Sequence, residues 1–294
     1  MRKFILSALL LSVLMLTSCE KLGLSTPEET TAATEPTVPR EYPVVVNSVT
    51  FNSAPKRVVV LTPFIGEIIG DFGFESRVVG RVNECVYPDK LVEKTSIGSG
   101  LSPDYNRIIA LSPDVLLTSA ELPQQERFFL EKNNVKILTI EYPTSISALK
   151  NVYRDIGRLF GGEQTGGING EEVFAPLSHA LDNSKAVNLG NFVYITEGIR
   201  AATPDTLESA VLSCFGRNAA DGTRYNADKD AILGVGVNLI ILGGDYPIAD
   251  SFLSLTAAYG EGRVIKIDNA YFERPSLRLV KLIEQVTDEY IRLN

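Results

Sequence analysis

The chain has 294 residues, 45% of them hydrophobic and 22% charged, the balance of a globular protein of about two domains and not of a disordered one. Its 28 Lys and Arg stand against 36 Asp and Glu, a formal charge of −8, which excludes nucleic-acid binding through phosphate neutralisation. One histidine and three cysteines are too few for a multi-histidine metal site or a disulfide scaffold. Any metal has to arrive already chelated, and no resident cofactor is expected.

Arg2 and Lys3 precede a mostly apolar run over residues 4–16. That run is shorter than the roughly 20 residues needed to span a bilayer, and a charged start, apolar middle and small residues before a cut describe a secretion signal. The cut site, Leu16-Thr17-Ser18-Cys19, resembles the lipobox of bacterial lipoproteins, which implies lipidation of Cys19 and a place in the cell envelope, facing outside the cytoplasm. A plain secretory signal with a chance cysteine is the alternative. The next two dozen residues are rich in Thr, Pro and Glu, with little to bury, and predict a solvated spacer. The expected organisation is a signal peptide over 1–18, anchor and linker over 19–43, a first α/β lobe over 44–144, a connecting helical segment over 145–185 and a second α/β lobe over 186–294.

Beyond the spacer, short β-branched runs alternate with helical-period segments. Strands are expected at 57–61, 77–80, 115–119 and 135–140, each apolar almost throughout, as in strands covered on both faces. Between them Ile65, Ile68, Ile69 and Phe72 recur at helical spacing, as do residues of 104–111 and 124–133, with Gly73 and Asn133-Asn134 as stops. Residues 145–160 carry an apolar face for four turns, capped by Ser145 or Ser147 and ended by Gly161-Gly162. Val173, Leu177, Ala180 and Leu181 continue in helical register around Pro176, which removes a helix hydrogen bond at about 3 kcal/mol and predicts a kink. A second series follows, with strands at 191–196, 237–242 and 263–267 and helices at 206–215 and 276–293. Strand and helix in alternation mean two α/β lobes with mostly parallel sheets.

The usual signatures of chemistry are missing. There is no Gly-x-Ser-x-Gly elbow, no phosphate-binding loop and no complete dinucleotide fingerprint, and His179, beside Pro176, reads as a structural or surface residue. What remains is the rule that open α/β sheets bind ligands beyond the carboxyl ends of their strands. The residues there are Thr62, Phe64, Arg81, Tyr87, Glu121 and Tyr142 in the first half, and Thr196, Arg200, Asp245, Tyr246, Tyr271 and Arg274 in the second. Aromatic faces give contact area with few rotors lost, and arginine forks match anionic oxygens. Cys85 and Cys214 are expected as buried thiols, with an oxidisable pair as the alternative.

Several motifs then point the same way: Ala54-Pro55-Lys56-Arg57-Val58-Val59-Val60-Leu61-Thr62-Pro63, followed by Glu67-Ile68-Ile69, Gly73 and Arg77-Val78-Val79-Gly80-Arg81; Tyr87-Pro88; Asn106-Arg107-Ile108-Ile109-Ala110-Leu111-Ser112-Pro113-Asp114-Val115; Gly216-Arg217-Asn218; and Phe272-Glu273-Arg274-Pro275. From residue 44 onward the chain resembles the helical-backbone periplasmic-binding-protein family, the receptors for ferric siderophores, cobalamin and haem in ATP-driven importers. The resemblance implies two lobes joined by a long connecting helix, a ligand cleft between them, no catalysis, and delivery of a metal chelate to an ABC permease. A ferric siderophore is the first expectation because Arg81, Arg200 and Arg274 could neutralise an anion; a corrinoid is second and haem third. The family also docks a carboxylate of each lobe onto the permease, for which Glu67 and Glu208 are the candidates. A surface-anchored hydrolase on a similar fold and a free-metal receptor are the alternatives.

Overall fold

The structure, a computed structural model, describes residues 41–293; the expected signal, Cys19 and most of the spacer lie outside the described residues. An antiparallel hairpin, β1 (Val44–Val46) and β2 (Val49–Phe51), opens the fold. It leads into β3 (Val58–Val60), α1 (Pro63–Asp71), β4 (Val78–Arg81), α2 (Asp89–Val92), β5 (Thr95–Ser96), a small hairpin of β6 (Gly98–Ser99) and β7 (Ser102–Pro103), α3 (Tyr105–Ala110), β8 (Val115–Thr118), α4 (Gln124–Lys132) and β9 (Lys136–Thr139). Five of these strands make a parallel sheet in the order β5-β4-β3-β8-β9. Every residue of β3 and β8 is buried, as their unbroken apolar sequence requires of central strands with both faces covered. From β3 the chain moves outward to β4 and β5 and then crosses back to β8. The loops after β3 and β8 therefore diverge, and a crevice opens between them.

Helix α5 (Ile146–Gly161) begins at Ser145, whose hydroxyl oxygen accepts the Ala148 N–H at 3.1 Å, and buries Leu149, Val152, Tyr153, Ile156 and Leu159 along one face. Gly162, at φ 95°, turns the chain into α6 (Thr165–Ser184). The Glu41 carboxylate closes the start of α6 by accepting the Gln164 and Thr165 N–H groups at 3.1 and 3.2 Å. The Thr165 hydroxyl and these backbone donors hold Glu41 below the usual carboxylate range. Pro176 lies inside α6, which continues on both sides of it. Gly161 and Gly162 end α5 as the sequence suggested, and glycines of the two helices also meet. Gly157 and Gly161 of α5 face Gly166 and Gly170 of α6, and a methyl group on Gly166 would overlap the Gly157 carbonyl. The two helices pack backbone to backbone.

The second lobe comprises β10 (Gly190–Thr196), β11 (Arg200–Ala201), α7 (Leu207–Leu212), β12 (Gly216–Asn218), a hairpin of β13 (Gly222–Thr223) and β14 (Asn226–Ala227), α8 (Lys229–Val235), β15 (Leu239–Leu242), α9 (Ala257–Gly260), β16 (Val264–Lys266), α10 (Ala270–Glu273) and α11 (Leu279–Leu293). Strands β12, β10, β15 and β16 pair in parallel in that order, and β11 pairs antiparallel with the far end of β10. The two-residue period of a strand divides this sheet between two cores. Phe192, Tyr194, Leu239 and Ile241 join the main core that runs through both lobes, whereas Val193, Ile195, Ile240 and Leu242 join a smaller one with Ile232, Leu253 and Ala258. Helix α11 packs on α6. Two α/β lobes of mostly parallel strands with helices between them are the fold class expected from the sequence. No helix among the described residues is long and apolar enough to cross a membrane.

Candidate functional site

At the β3/β8 crevice, Thr62 and Ser119 stitch the two strand ends together. The Thr62 hydroxyl oxygen accepts the Ser119 N–H at 2.8 Å and its proton goes to the Ser119 hydroxyl at 3.2 Å. Above them is an open cavity of about 500 Å³ walled by Leu61, Thr62, Glu84, Tyr105, Ala120 and Glu121 together with the β6–β7 hairpin. Glu84 holds that hairpin by accepting the Gly100 N–H at 3.0 Å, and Leu101 at its tip is fully exposed. Leu101 thus stands at the rim of the cavity and outside the core.

The second lobe presents tyrosines. Tyr194, buried in β10, donates to Asn269 at 2.5 Å. Tyr225, in the β13–β14 turn, donates to Glu208 Oε1 at 2.6 Å, with the Arg200 guanidinium 5.5 Å above its ring. Burial, together with the Glu208 charge, raises the hydroxyls of Tyr142, Tyr194 and Tyr225 well above the usual tyrosine value. All three are neutral donors at any physiological pH.

The carboxyl ends of the two sheets meet. Tyr142, beyond β9, stacks edge-on against Phe64 at 5.7 Å and donates to the Phe272 carbonyl beyond β16, while Phe272 packs edge-on against Tyr194 at 5.2 Å. Next to this seam the strap leading into α11 grips α1. Glu67, 1% exposed, accepts from Ser276 at 2.7 Å and from Arg278 at 3.0 Å, and pairs with Arg274 at 3.7 Å. The Arg278 guanidinium lies between the rings of Tyr87 and Tyr271, 5.1 and 5.2 Å away. Asp71 accepts the Leu277 N–H at 3.0 Å and the Tyr153 hydroxyl.

The residues singled out from the sequence therefore divide. Thr62 and Glu121 line the cavity, and Phe64, Tyr142, Tyr87 and Tyr271 lie along the seam. Thr196 is buried at the end of β10, Tyr246 donates back to the Gly243 carbonyl at 3.1 Å, and Asp245 is solvated beside Lys266. Of the three arginines, Arg81 and Arg274 are turned to the protein and Arg200 is exposed. Arg81 donates to the Val92 and Val82 carbonyls at 2.7 and 3.1 Å, Arg200 to the Glu197 carbonyl at 3.2 Å, and Arg274 faces Glu67. Both docking candidates are buried, Glu67 at 1% and Glu208 at 6% exposure, because α1 is covered by the strap and the start of α7 by the β13–β14 turn. His179 is exposed, and Cys85 and Cys214 are free thiols, with burial pushing Cys85 up to about 12. Among the described residues no three His, Cys, Asp or Glu side chains are grouped to hold a metal.

Sequence reasoning overlooked Ser119, Glu84, Leu101, Tyr194 and Tyr225. Tyr194 sits in a strand and reads as core. Tyr225 reads as an ordinary turn residue, and only the register of β13 with β14 brings it over Glu208.

The comparisons agree with this geometry. The family model described as "Periplasmic binding protein" matches residues 58–188. A cobalamin-binding protein of Halobacterium salinarum is 19% identical over 263 residues, covering 83% of this chain and 71% of that protein. Among solved structures, the periplasmic haem-binding protein BhuT superposes with a TM-score of 0.67 at 16% identity, covering 82% of this chain and 99% of BhuT. The periplasmic vitamin B12 binding protein BtuF of Vibrio cholerae does so with a TM-score of 0.63 at 16% identity, covering 81% and 98%. These relatives are binding proteins, not enzymes. Residues 58–188 thus match the periplasmic-binding-protein family model, and the described chain carries the two-lobed fold of these binding proteins.

Proposed function

We propose that this chain is the substrate-binding component of an ABC importer, anchored through Cys19, which captures a bulky metal chelate outside the cytoplasm and passes it unchanged to the permease. The observation that carries the proposal is the meeting of the two sheets' carboxyl ends along an aromatic seam beside an open cavity, the place where α/β folds hold ligands. Thr62, Glu121 and Tyr142 are the first-lobe residues best placed to touch a guest, with Leu101 as an apolar contact at the rim.

A corrinoid fits this site better than the anionic siderophore that the sequence favoured. Arg81 and Arg274 are directed at the Val92 and Val82 carbonyls and at Glu67, which leaves the exposed Arg200 as the one of the three open to an anion. The rest of the surface is aromatic rings and carboxylates, suited to a large, nearly neutral ring edged with amides. The cobalamin-binding relative from Halobacterium salinarum supports the same order. Haem, with two carboxylates, would meet Glu84, Glu121 and Glu208.

Titration of the purified protein with cyanocobalamin, haem, a ferric hydroxamate and a ferric catecholate tests this by calorimetry or tyrosine quenching, since the chain has no tryptophan. Cyanocobalamin is expected to bind saturably with Kd of about 1 μM or tighter and the catecholate at least tenfold more weakly. Tighter binding of haem or the catecholate would overturn the corrinoid assignment, and binding of none would overturn the receptor itself.

A further inference from the structure

The floor of the first-lobe cavity carries a short chain of hydrogen bonds with a fixed direction. The Ser119 backbone N–H donates to the Thr62 hydroxyl oxygen at 2.8 Å, and the Thr62 proton goes to the Ser119 hydroxyl oxygen at 3.2 Å. A hydroxyl has a single proton to give and lone pairs to accept with. With Thr62 donating to Ser119, the Ser119 proton cannot return along the same line and has to leave the pair. Among the described residues no acceptor of the protein takes it. Thr62 and Ser119 are both partly exposed, and both line the open cavity of about 500 Å³ above the β3/β8 crevice.

The other polar side chains around this cavity differ from Ser119. Thr118 is buried and bonded twice to Ala120, donating to its carbonyl at 3.1 Å and accepting its N–H at 3.2 Å. Glu84 accepts the Gly100 N–H and Glu121 accepts from Arg127 at 2.6 Å. Tyr105 lines the cavity too, but no bond among the described residues sets the direction of its hydroxyl. Ser119 alone is a donor already aimed, and a donor at the end of such a chain is strengthened by the bonds behind it. Much of the remaining wall is apolar, with Leu61, Leu101, Leu122 and Pro123. A guest that fills the cavity strips water from Ser119 and has to offer an acceptor in return, or leave the hydroxyl unpaired. Glu84 and Glu121 stand on the same walls and repel an anionic oxygen, so the acceptor that fits is a neutral carbonyl.

We infer that Ser119 is a specificity-determining contact of the receptor, its hydroxyl aimed by Thr62 into the first-lobe cavity to donate to a neutral carbonyl oxygen of the guest, such as that of an amide. Thr62 is then a positioning residue as well as part of the cavity wall. The inference rests on the receptor reading above and extends it from the presence of a guest to the chemistry of the group that enters this cavity. The position suits the role, because the ends of β3 and β8 are where the loops of this sheet diverge and where α/β folds hold ligands.

A double-mutant cycle tests this, read as affinity for cyanocobalamin, whose edge carries amide carbonyls, with thermal melts to confirm folding. Ser119→Ala is expected to weaken binding about fivefold, the loss of one neutral hydrogen bond. Thr62→Val keeps the shape of the wall but not the aim, and is expected to cost a similar factor in wild type and less than about twofold in the Ser119→Ala background. Thr62→Ser, which keeps the hydroxyl, is expected to bind as wild type does. Should Thr62→Val fail to fold because the Ser119 N–H loses its acceptor, Ser119→Ala still decides the contact and Thr62→Ser the aim. Unchanged affinity of Ser119→Ala would overturn the inference and leave the receptor reading standing. Fully additive losses in the cycle would show Thr62 acting on the guest by itself and overturn its positioning role. Haem, whose edge carries carboxylates, is the second probe, and an equal loss for both probes in Ser119→Ala would mark the hydroxyl as structural. Failure of wild type to bind cyanocobalamin would strike instead at the corrinoid reading on which the inference stands.

Discussion

Asp71 shows how a single residue can acquire a property that its neighbours in sequence do not suggest. It ends α1 in what reads as an ordinary helix terminus, yet it lies under the strap, bonded to Tyr153 and to the Leu277 backbone. Burial raises its carboxyl from 3.8 to about 6, the two hydrogen bonds offsetting only part of the effect. Between these two values the native state holds a proton that the unfolded chain has released, so the contribution of Asp71 to stability falls as pH rises from 3.8 to about 6 and stays low above that. Asp71→Asn should remove this slope. Urea unfolding at several pH values between about 4 and 7.5 should show the variant gaining on wild type as pH rises through that window. A difference that stays constant with pH would mean that the Asp71 proton is not linked to folding. Nothing local in the sequence announces this, since the partners are 82 and 206 residues away.

Among the elements, the α5–α6 pair is where composition most readily misleads. Glycines after an amphipathic helix read as a stop and a loose connector, because glycine in a helix interior costs about 1 kcal/mol relative to alanine. The structure uses Gly166 and Gly170 inside α6, with Gly157 and Gly161 opposite, so that small size at the crossing offsets the propensity loss through close packing. Gly166 and Gly167 make a paired test. A methyl group at Gly166 would collide with the Gly157 carbonyl, whereas at Gly167 the nearest atom is 3.6 Å away, on the Arg158 side chain. Gly166→Ala should destabilise by about 2 kcal/mol or more through overpacking, and Gly167→Ala should be neutral or gain up to about 1 kcal/mol in helix propensity. Similar midpoints for the two variants in thermal melts would remove the close crossing as the reason for these glycines. The apolar face of α5, by contrast, was plain from its spacing, because amphipathic periodicity is a local property.

Across the whole molecule, the lobes are joined by more than the chain that connects them. Helix α11 packs on α6, the main core is continuous through both lobes, and the strap sets Glu67, Ser276, Arg274 and Arg278 between α1 and the second lobe. A buried carboxylate shared by two arginines resists opening, because separating the partners would leave charges uncompensated. Hinge closure on the scale of loosely linked two-domain receptors is therefore not expected. Small-angle scattering with and without cyanocobalamin should give superimposable profiles, and a measurable fall in radius of gyration on binding would show that the strap yields.

Strand and helix alternation, the apolar faces of α1 and α5 and the central strands of both sheets were legible in the sequence, because each depends on the period of side chains along one segment. The loops after the strands were legible too, and of the residues they offer Thr62 and Glu121 line the cavity and Tyr142 lies on the seam. Which side chains in those loops remain open to a guest was not legible. Arg81, Arg274 and Glu67 have the residue types of ligand and docking groups, yet Arg81 bonds to carbonyls of its own lobe and Arg274 pairs with the buried Glu67, while Tyr225, an ordinary turn residue in the sequence, reaches Glu208. A side chain's charge belongs to the residue, but its free valences depend on what long-range contacts leave unpaired, and only the assembled fold sets that.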